Sequence, residues 1–196
     1  MPTNKSEKSV LLQGLKKENI TVKIVGVTPL LMEKMPVKVI DDIDKKKSRQ
    51  MVEKDSRSEE DKVPEKIHYT EDGNVGFPAS GFMKGMVEVA PYLEGLDKKR
   101  VRGSVRINGN IIPINFENQT VNKAYGKTSG ISKSPRPIMR PEFRGWTCEL
   151  NITYNAANIS LEQIVNLINY AGFHMGVGGW RPACSGSYGQ YEVATQ

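Results

Sequence analysis

Three stretches hold the residues whose types and spacing could do chemistry. The first runs from Gly176 to Gly189 (GVGGWRPACSGSYG), where glycines let backbone amides approach a ligand closely, as in phosphate cradles. Trp180 and Tyr188 add stacking surface and Arg181 adds a cation. The stretch lacks the GK[ST] of a P-loop, and it follows a helical pattern instead of opening one, so neither nucleotide fingerprint applies. The second stretch is Phe77–Gly85 (FPASGFMKG), a strand passing through a Pro/Ser/Gly turn into a helix. Its first turn would present free N–H groups, with Lys84 reinforcing an anion site. Third is a basic segment in which Lys123, Lys127, Lys133, Arg136, Arg140 and Arg144 are interleaved with Tyr125 and Phe143. Cations spaced among rings suit a single nucleic-acid strand, because phosphates meet the charges and bases meet the rings. Each stretch also has a plain structural reading: a glycine-rich connection, a capped helix, and a loop that pairs with acids of a neighbouring subunit.

Catalytic and metal signals are sparse. The histidines are His68 and His174, and His174, just after a helix and beside the glycine loop, is the candidate acid–base. No Ser/His/Asp or Cys/His constellation accompanies either. Asp41, Asp42 and Asp44 read as part of a charged segment, and Cys148 and Cys184, far apart and without a CxxC neighbour, read as reduced structural residues. No cofactor or metal is expected.

The elements that must position these groups follow from periodicity. Residues 20–31 (ITVKIVGVTPLL) are β-branched and apolar and predict one strand. From Asp41 to Lys66 apolar residues are few, which predicts a mobile insertion or a charged helix in solvent. Ile67–Tyr69 and Val75–Phe77 flank an Asp72-Gly73 turn and predict a hairpin. Ser80 is placed as the N-cap of a helix over 81–93 whose apolar face is Phe82, Met86, Val89, Ala90 and Leu93, with Pro91 kinking or ending it. Two alternating runs, 101–107 and 111–116, surround Asn108-Gly109-Asn110 and predict a second hairpin. Residues 117–145 read as a long polar functional loop. Trp146–Tyr154 alternates as a strand. Ser160-x-x-Gln163 is a capping box for a helix whose face is Leu161, Ile164, Val165, Ile168 and Ala171, stopped at Gly172. A last strand is expected over 188–194. In order these elements describe one α+β domain, residues 1–196, of the β-α-β-β-α-β ferredoxin-like (RRM-like) kind, with a charged insertion at 33–66 and a basic loop at 117–145.

Across 196 residues the net charge is +6, but its distribution is uneven. Between Lys98 and Arg144 eleven bases face two acids, a net +9, whereas Glu33–Lys66 carries ten of each. The first segment is biased towards an anionic partner. It also contributes Lys99, Arg100, Arg102 and Arg106 to the candidate nucleic-acid-binding set. No apolar run has the length of a membrane span and the N-terminus lacks a secretory pattern, so a cytoplasmic location is expected.

On these residues the chain resembles the RAMP superfamily of CRISPR-associated RNA-binding proteins, above all the backbone subunits that polymerise along a guide RNA. The turn Pro78-Ala79-Ser80-Gly81-Phe82-Met83-Lys84-Gly85 is similar to the "PxSSxKG"-like turn of that family at altered spacing, and the glycine-rich loop follows the last helix as it does there. Trp180-Arg181-Pro182 departs from the usual run, and the chain is shorter than typical backbone subunits. The resemblance implies a non-catalytic protein that assembles along single-stranded nucleic acid, RNA favoured, as a homo-oligomer or ribonucleoprotein subunit. It further implies a thumb-like element at 117–145. Two alternatives stand beside it: an endoribonuclease of the same superfamily using a histidine, and a phage-encoded structural or inhibitory relative that binds protein.

Overall fold

A computed structural model describes residues 15–48, 51, 55–127 and 135–195. Its centre is an antiparallel sheet of β1 (Lys17–Gly26), β5 (Val105–Ile107), β6 (Ile111–Asn115), β9 (Thr147–Asn155) and β10 (Tyr191–Val193). The order across it is β10, β1, β9, and then β5 and β6 together. Counting β5 and β6 as one strand, this is the 4-1-3-2 order of the ferredoxin-like fold. The crossover helices are α2 (Ala79–Val89) and α4 (Leu161–Tyr170).

Alternation along the two central strands decides which face is covered. Val22 and Ile24 of β1 and Cys148, Leu150, Ile152 and Tyr154 of β9 point into a core shared with Phe82, Met86 and Val89 of α2 and Ile164, Leu167 and Ile168 of α4. The other face is a polar ladder in which Thr21 Oγ1 donates to Asn151 Oδ1 (2.7 Å) and Thr153 Oγ1 to Asn19 Oδ1 (2.6 Å). None of these residues is aromatic, so the ladder offers no ring for the base stacking by which RRM sheets bind RNA.

Several expectations change. The strand over 20–31 is two: β1 ends at Gly26, where a Cβ would lie 2.1 Å from the Trp146 ring, and β2 (Leu30–Leu31) joins a separate sheet. Residues 101–104 belong to helix α3 (Lys98–Ser104), which Asp97 caps by accepting from the Arg100 amide at 2.8 Å. The hairpin around Asn108-Gly109 does not form. Instead β5 and β6 run end to end along one edge of β9, with Ile107 opposite Ile152 and Ile114 opposite Cys148. The Asn-Gly unit is a detour within one interrupted strand, and the Asn108 amide keeps its ladder bond to Asn151 O (2.7 Å). Ser80 lies inside α2, whose preceding residue is Pro78, and no side chain caps it. A turn of 3-10 helix, Ala90–Tyr92, follows where Pro91 ends the α-helical ladder. Gly172 does not stop α4, because the chain continues as a π-helical turn, Ala171–Met175, to Gly176.

The described residues of 117–145 are mostly strand, where a long loop was expected. They build strands β7 (Asn118–Lys127) and β8 (Pro135–Arg144), paired antiparallel from Asn118 opposite Arg144 to Lys127 opposite Pro135. With β2 they make a three-stranded sheet beside the core. The expected hairpin over 67–77 is present as β3 (His68–Tyr69) and β4 (Val75–Pro78), and β4 extends the main sheet by pairing with β6. The insertion begins as charged helix α1 (Val37–Lys47), which has no buried residue. Beyond it, buried Val63 and Ile67 anchor the chain. No described helix is long and apolar enough to cross a membrane.

Candidate nucleic-acid interface

The glycine loop packs against β2 and the hairpin, and its folding explains its composition. Gly189 has φ +66°, and a Cβ there would lie 1.8 Å from Val177 O. A Cβ on Gly186 would lie equally close, 1.8 Å, to Trp180 O. These glycines let the loop close on itself, and its amides are used in doing so. Val177 N donates to Gly189 O, Gly179 N to Leu31 O, Gly186 N to Arg181 O and Tyr188 N to Trp180 O. The loop is thus a rigid platform for side chains, with few amides left for a phosphate.

That platform forms one wall of a cleft of about 450 Å³. Trp180 and Arg181 come from the loop, Lys84 and Gly81 from the first turns of α2, Arg140 and Glu33 from β8 and the chain after β2, and His68 from β3. Four of the cationic and aromatic candidates, Lys84, Arg140, Trp180 and Arg181, therefore meet in one place. Arg181 is held by donating to Gly178 O at 3.0 Å. Arg140 is only 7% exposed. Its Nε donates to Glu33 Oε2 at 3.0 Å and its guanidinium lies 4.8 Å from the Trp180 ring centroid, a cation–π contact. Among the described residues nothing accepts a hydrogen bond from buried Arg140 Nη1. An unpaired buried charged donor costs about 1–3 kcal/mol or more.

The other candidates lie elsewhere. Arg102 and Arg106 line a shallow groove with Ala79 and Ser80 at the start of α2, and Arg106 Nη1 donates to Val105 O at 2.7 Å. Lys99 and Arg100 flank a third groove, where Arg100 is held by Asn158 O (2.7 Å) and Gly95 O (2.8 Å). On the hairpin the cations are paired within the chain: Lys123 with Glu60 (3.7 Å), Arg136 with Glu59 (3.3 Å) and Arg144 with buried Glu142 (2.7 Å). The acids of the insertion thus cover bases of the +9 segment. Tyr188 OH accepts from Asn122 Nδ2 at 3.2 Å, fixing the loop to β7, and its ring sits 6.2 Å from Trp180. Tyr125 is exposed, whereas Phe143 is fully buried against Phe116 and cannot receive a base. Lys133 and the Lys127 side chain fall outside the described residues.

The two histidines are placed differently. His174 is exposed and does not line the cleft; its ring packs among Tyr92, Tyr170 and Phe173. His68, the other histidine open to acid–base work in the sequence, lines the cleft. Burial, and secondarily the charge of Lys34, hold its pKa below the ordinary imidazole value. Cys148 is buried, and that burial pushes its thiol up to about 12. Cys184 is exposed at the cleft edge instead of filling a structural position. No group of three or more His, Cys, Asp or Glu among the described residues is arranged to hold a metal ion.

The sheet order and its two crossover helices define a ferredoxin-like fold, with the glycine-rich loop and the cationic cleft set beside the first crossover helix. By sequence the chain matches no family model and no curated protein. Among solved structures, a chain in a cryo-EM structure of the Type III-B Cmr-beta bound to cognate target RNA is similar, with TM-score 0.53 and 16% identity. The likeness covers 92% of this chain and 60% of that one, so this chain spans less than two thirds of its length. Cmr6 from Pyrococcus furiosus gives TM-score 0.42 at 10% identity, over 92% of this chain and 99% of that one. Thermus thermophilus Cas6 gives 0.32 at 10% identity, over 89% and 53%.

Proposed function

We propose that this protein binds single-stranded RNA, holding a backbone phosphate in the Lys84–Arg140–Arg181 cleft, and assembles along the strand as copies of itself or within a ribonucleoprotein. The observation that carries the reading is the meeting of Lys84, Arg140 and Arg181, three cationic residues from separate elements, in one cleft. Positive charge built into a concave site asks for an anion, and Trp180 beside it offers a face to a base. The fold shared with a chain of an RNA-bound Cmr-beta structure agrees with this chemistry. Fluorescence anisotropy with a labelled uridine-rich single strand provides the test. Affinity should fall steeply with salt, and Lys84→Ala should weaken binding and lower the salt slope by about one. Affinity indifferent to salt in the wild type would remove the proposal.

His68 supports a second reading, an endoribonuclease. Its place in the cationic cleft, where burial favours the neutral imidazole, suits a general base. Incubating structured RNA with the wild type, His68→Ala and His174→Ala decides between the histidines. RNA left uncut by the wild type discards the reading.

A further inference from the structure

A patch of exposed rings lies on the outside of the helical layer, and the cleft does not account for it. Tyr92 ends the turn after α2, Tyr170 ends α4, and Phe173 and His174 sit on the π-helical turn. The imidazole is at the centre, with ring centroids 5.2 Å from Tyr92, 5.6 Å from Tyr170 and 5.0 Å from Phe173. Tyr92 is 61% exposed, Phe173 66% and Tyr170 39%. Tyr170, Phe173 and His174 stand at i, i+3 and i+4 and so share one outward face of the turn, while Ala171 and Gly172 stay buried.

We propose that this patch is a stacking subsite for an unpaired nucleobase of the strand whose phosphate occupies the cleft; the inference rests on the RNA-binding reading above. Three features favour a base over a protein surface. The patch is small: its exposed area is on the order of 400 Å², against about 800 Å² per partner in a stable protein interface. Its members are rings, three of them with polar edges, which suits a flat heteroaromatic guest better than aliphatic side chains. It is also continuous with the cleft: Met175 and Gly176, the residues directly after His174, line the cleft wall. No residue intervenes between His174 of the patch and Met175 of the cleft wall, whose Cα atoms are one peptide step, about 3.8 Å, apart. A strand leaving the cleft over this turn brings its next bases onto the rings.

The experiment uses the full chain with short single-stranded RNAs carrying 2-aminopurine at successive positions. Binding to the wild type should change the 2-aminopurine emission at one or two positions, as stacking replaces solvent. The Tyr92→Ala/Phe173→Ala double variant should abolish that change and weaken affinity roughly tenfold. Phe173→Tyr should retain both, and an abasic substitution at the reporting position should mimic the double variant without adding to it. All the substituted side chains are exposed, and circular dichroism melting checks that the fold is retained. Unchanged affinity and emission in the double variant, with Lys84→Ala still weakening binding, would overturn the stacking subsite and leave the RNA reading intact. Loss of self-association without loss of RNA binding would overturn it in favour of a second copy as occupant. Failure of the wild type to bind any RNA removes both readings.

Discussion

Arg140 shows how one side chain can serve both the fold and the site. Glu33 takes Nε, the Trp180 ring covers the guanidinium face, and Nη1 is left over. Removing Glu33 strands the remaining charge in a buried position. Glu33→Ala should therefore lower stability by about 1–3 kcal/mol in urea denaturation, Glu33 itself being half exposed and its pair partly screened. Added phosphate or RNA should restore much of that loss, because a bound anion supplies the missing partner. Stability that does not respond to either would separate the pair from the site. Gly189 makes the opposite case, a residue whose value lies in having no side chain. Gly189→Ala combines a positive φ with a Cβ 1.8 Å from Val177 O, and it should cost about 3 kcal/mol or more. The lost platform should weaken RNA binding as well, measured at a temperature where the variant is still folded.

At the scale of elements, the contact between insertion and hairpin governs how much positive charge is on offer. Glu59 accepts from Lys62 and Arg136. Burial works to raise its pKa, but those two partners hold it below the ordinary carboxylate value. Asp55 and Glu65 are held low chiefly by hydrogen bonds from Arg57. Carboxyls depressed in the folded state add stability that is present above their unfolded values, 3.8 for Asp and 4.5 for Glu, and that is lost as pH falls below them. Amide protection factors across residues 55–66 and β8, taken relative to the intrinsic exchange rate at each pH, should therefore fall on acidification from pH 6 to pH 3 before those of the sheet core. Glu59→Gln should produce part of that loss of protection at pH 6. The same variant releases Arg136 and should strengthen RNA binding at low salt; weaker binding would show that the clamp positions the hairpin instead of masking it.

For the molecule as a whole, much of the domain was legible from local pattern. β-branched residues marked β1 and alternation marked β9, where one face of the sheet is buried and the other is a polar ladder. The Ser160–Gln163 capping box marked α4 because both halves of its signal lie within four residues, and both hydrogen bonds form at 3.1 Å. The glycine loop and the Lys84 turn were likewise visible, since close backbone packing demands glycine wherever it occurs. What failed were patterns that suit two structures equally. The run from 101 to 107 alternates as a strand does, yet Asp97, just before it, caps a helix. Asn108-Gly109 has the composition of a hairpin turn, but β9 offers an edge long enough to take both flanking strands in line.

The amino-acid sequence by itself determined the domain class, the basic bias and the residue types of the site, because these depend on periodicity, composition and near-neighbour chemistry. Only the tertiary structure decided which cations are available and which are already paired. Arg136 and Glu59 are 77 residues apart in the chain, and Arg140 and Glu33 are 107 apart. No local signal relates groups at such separations; the folding of the insertion onto the hairpin does. The same folding gathered Lys84, Arg140, Trp180 and Arg181 into one cleft, set His68 inside it and left His174 among exposed rings. Charge counted along the chain is a sum, whereas charge offered to a ligand is what remains after the chain has met itself.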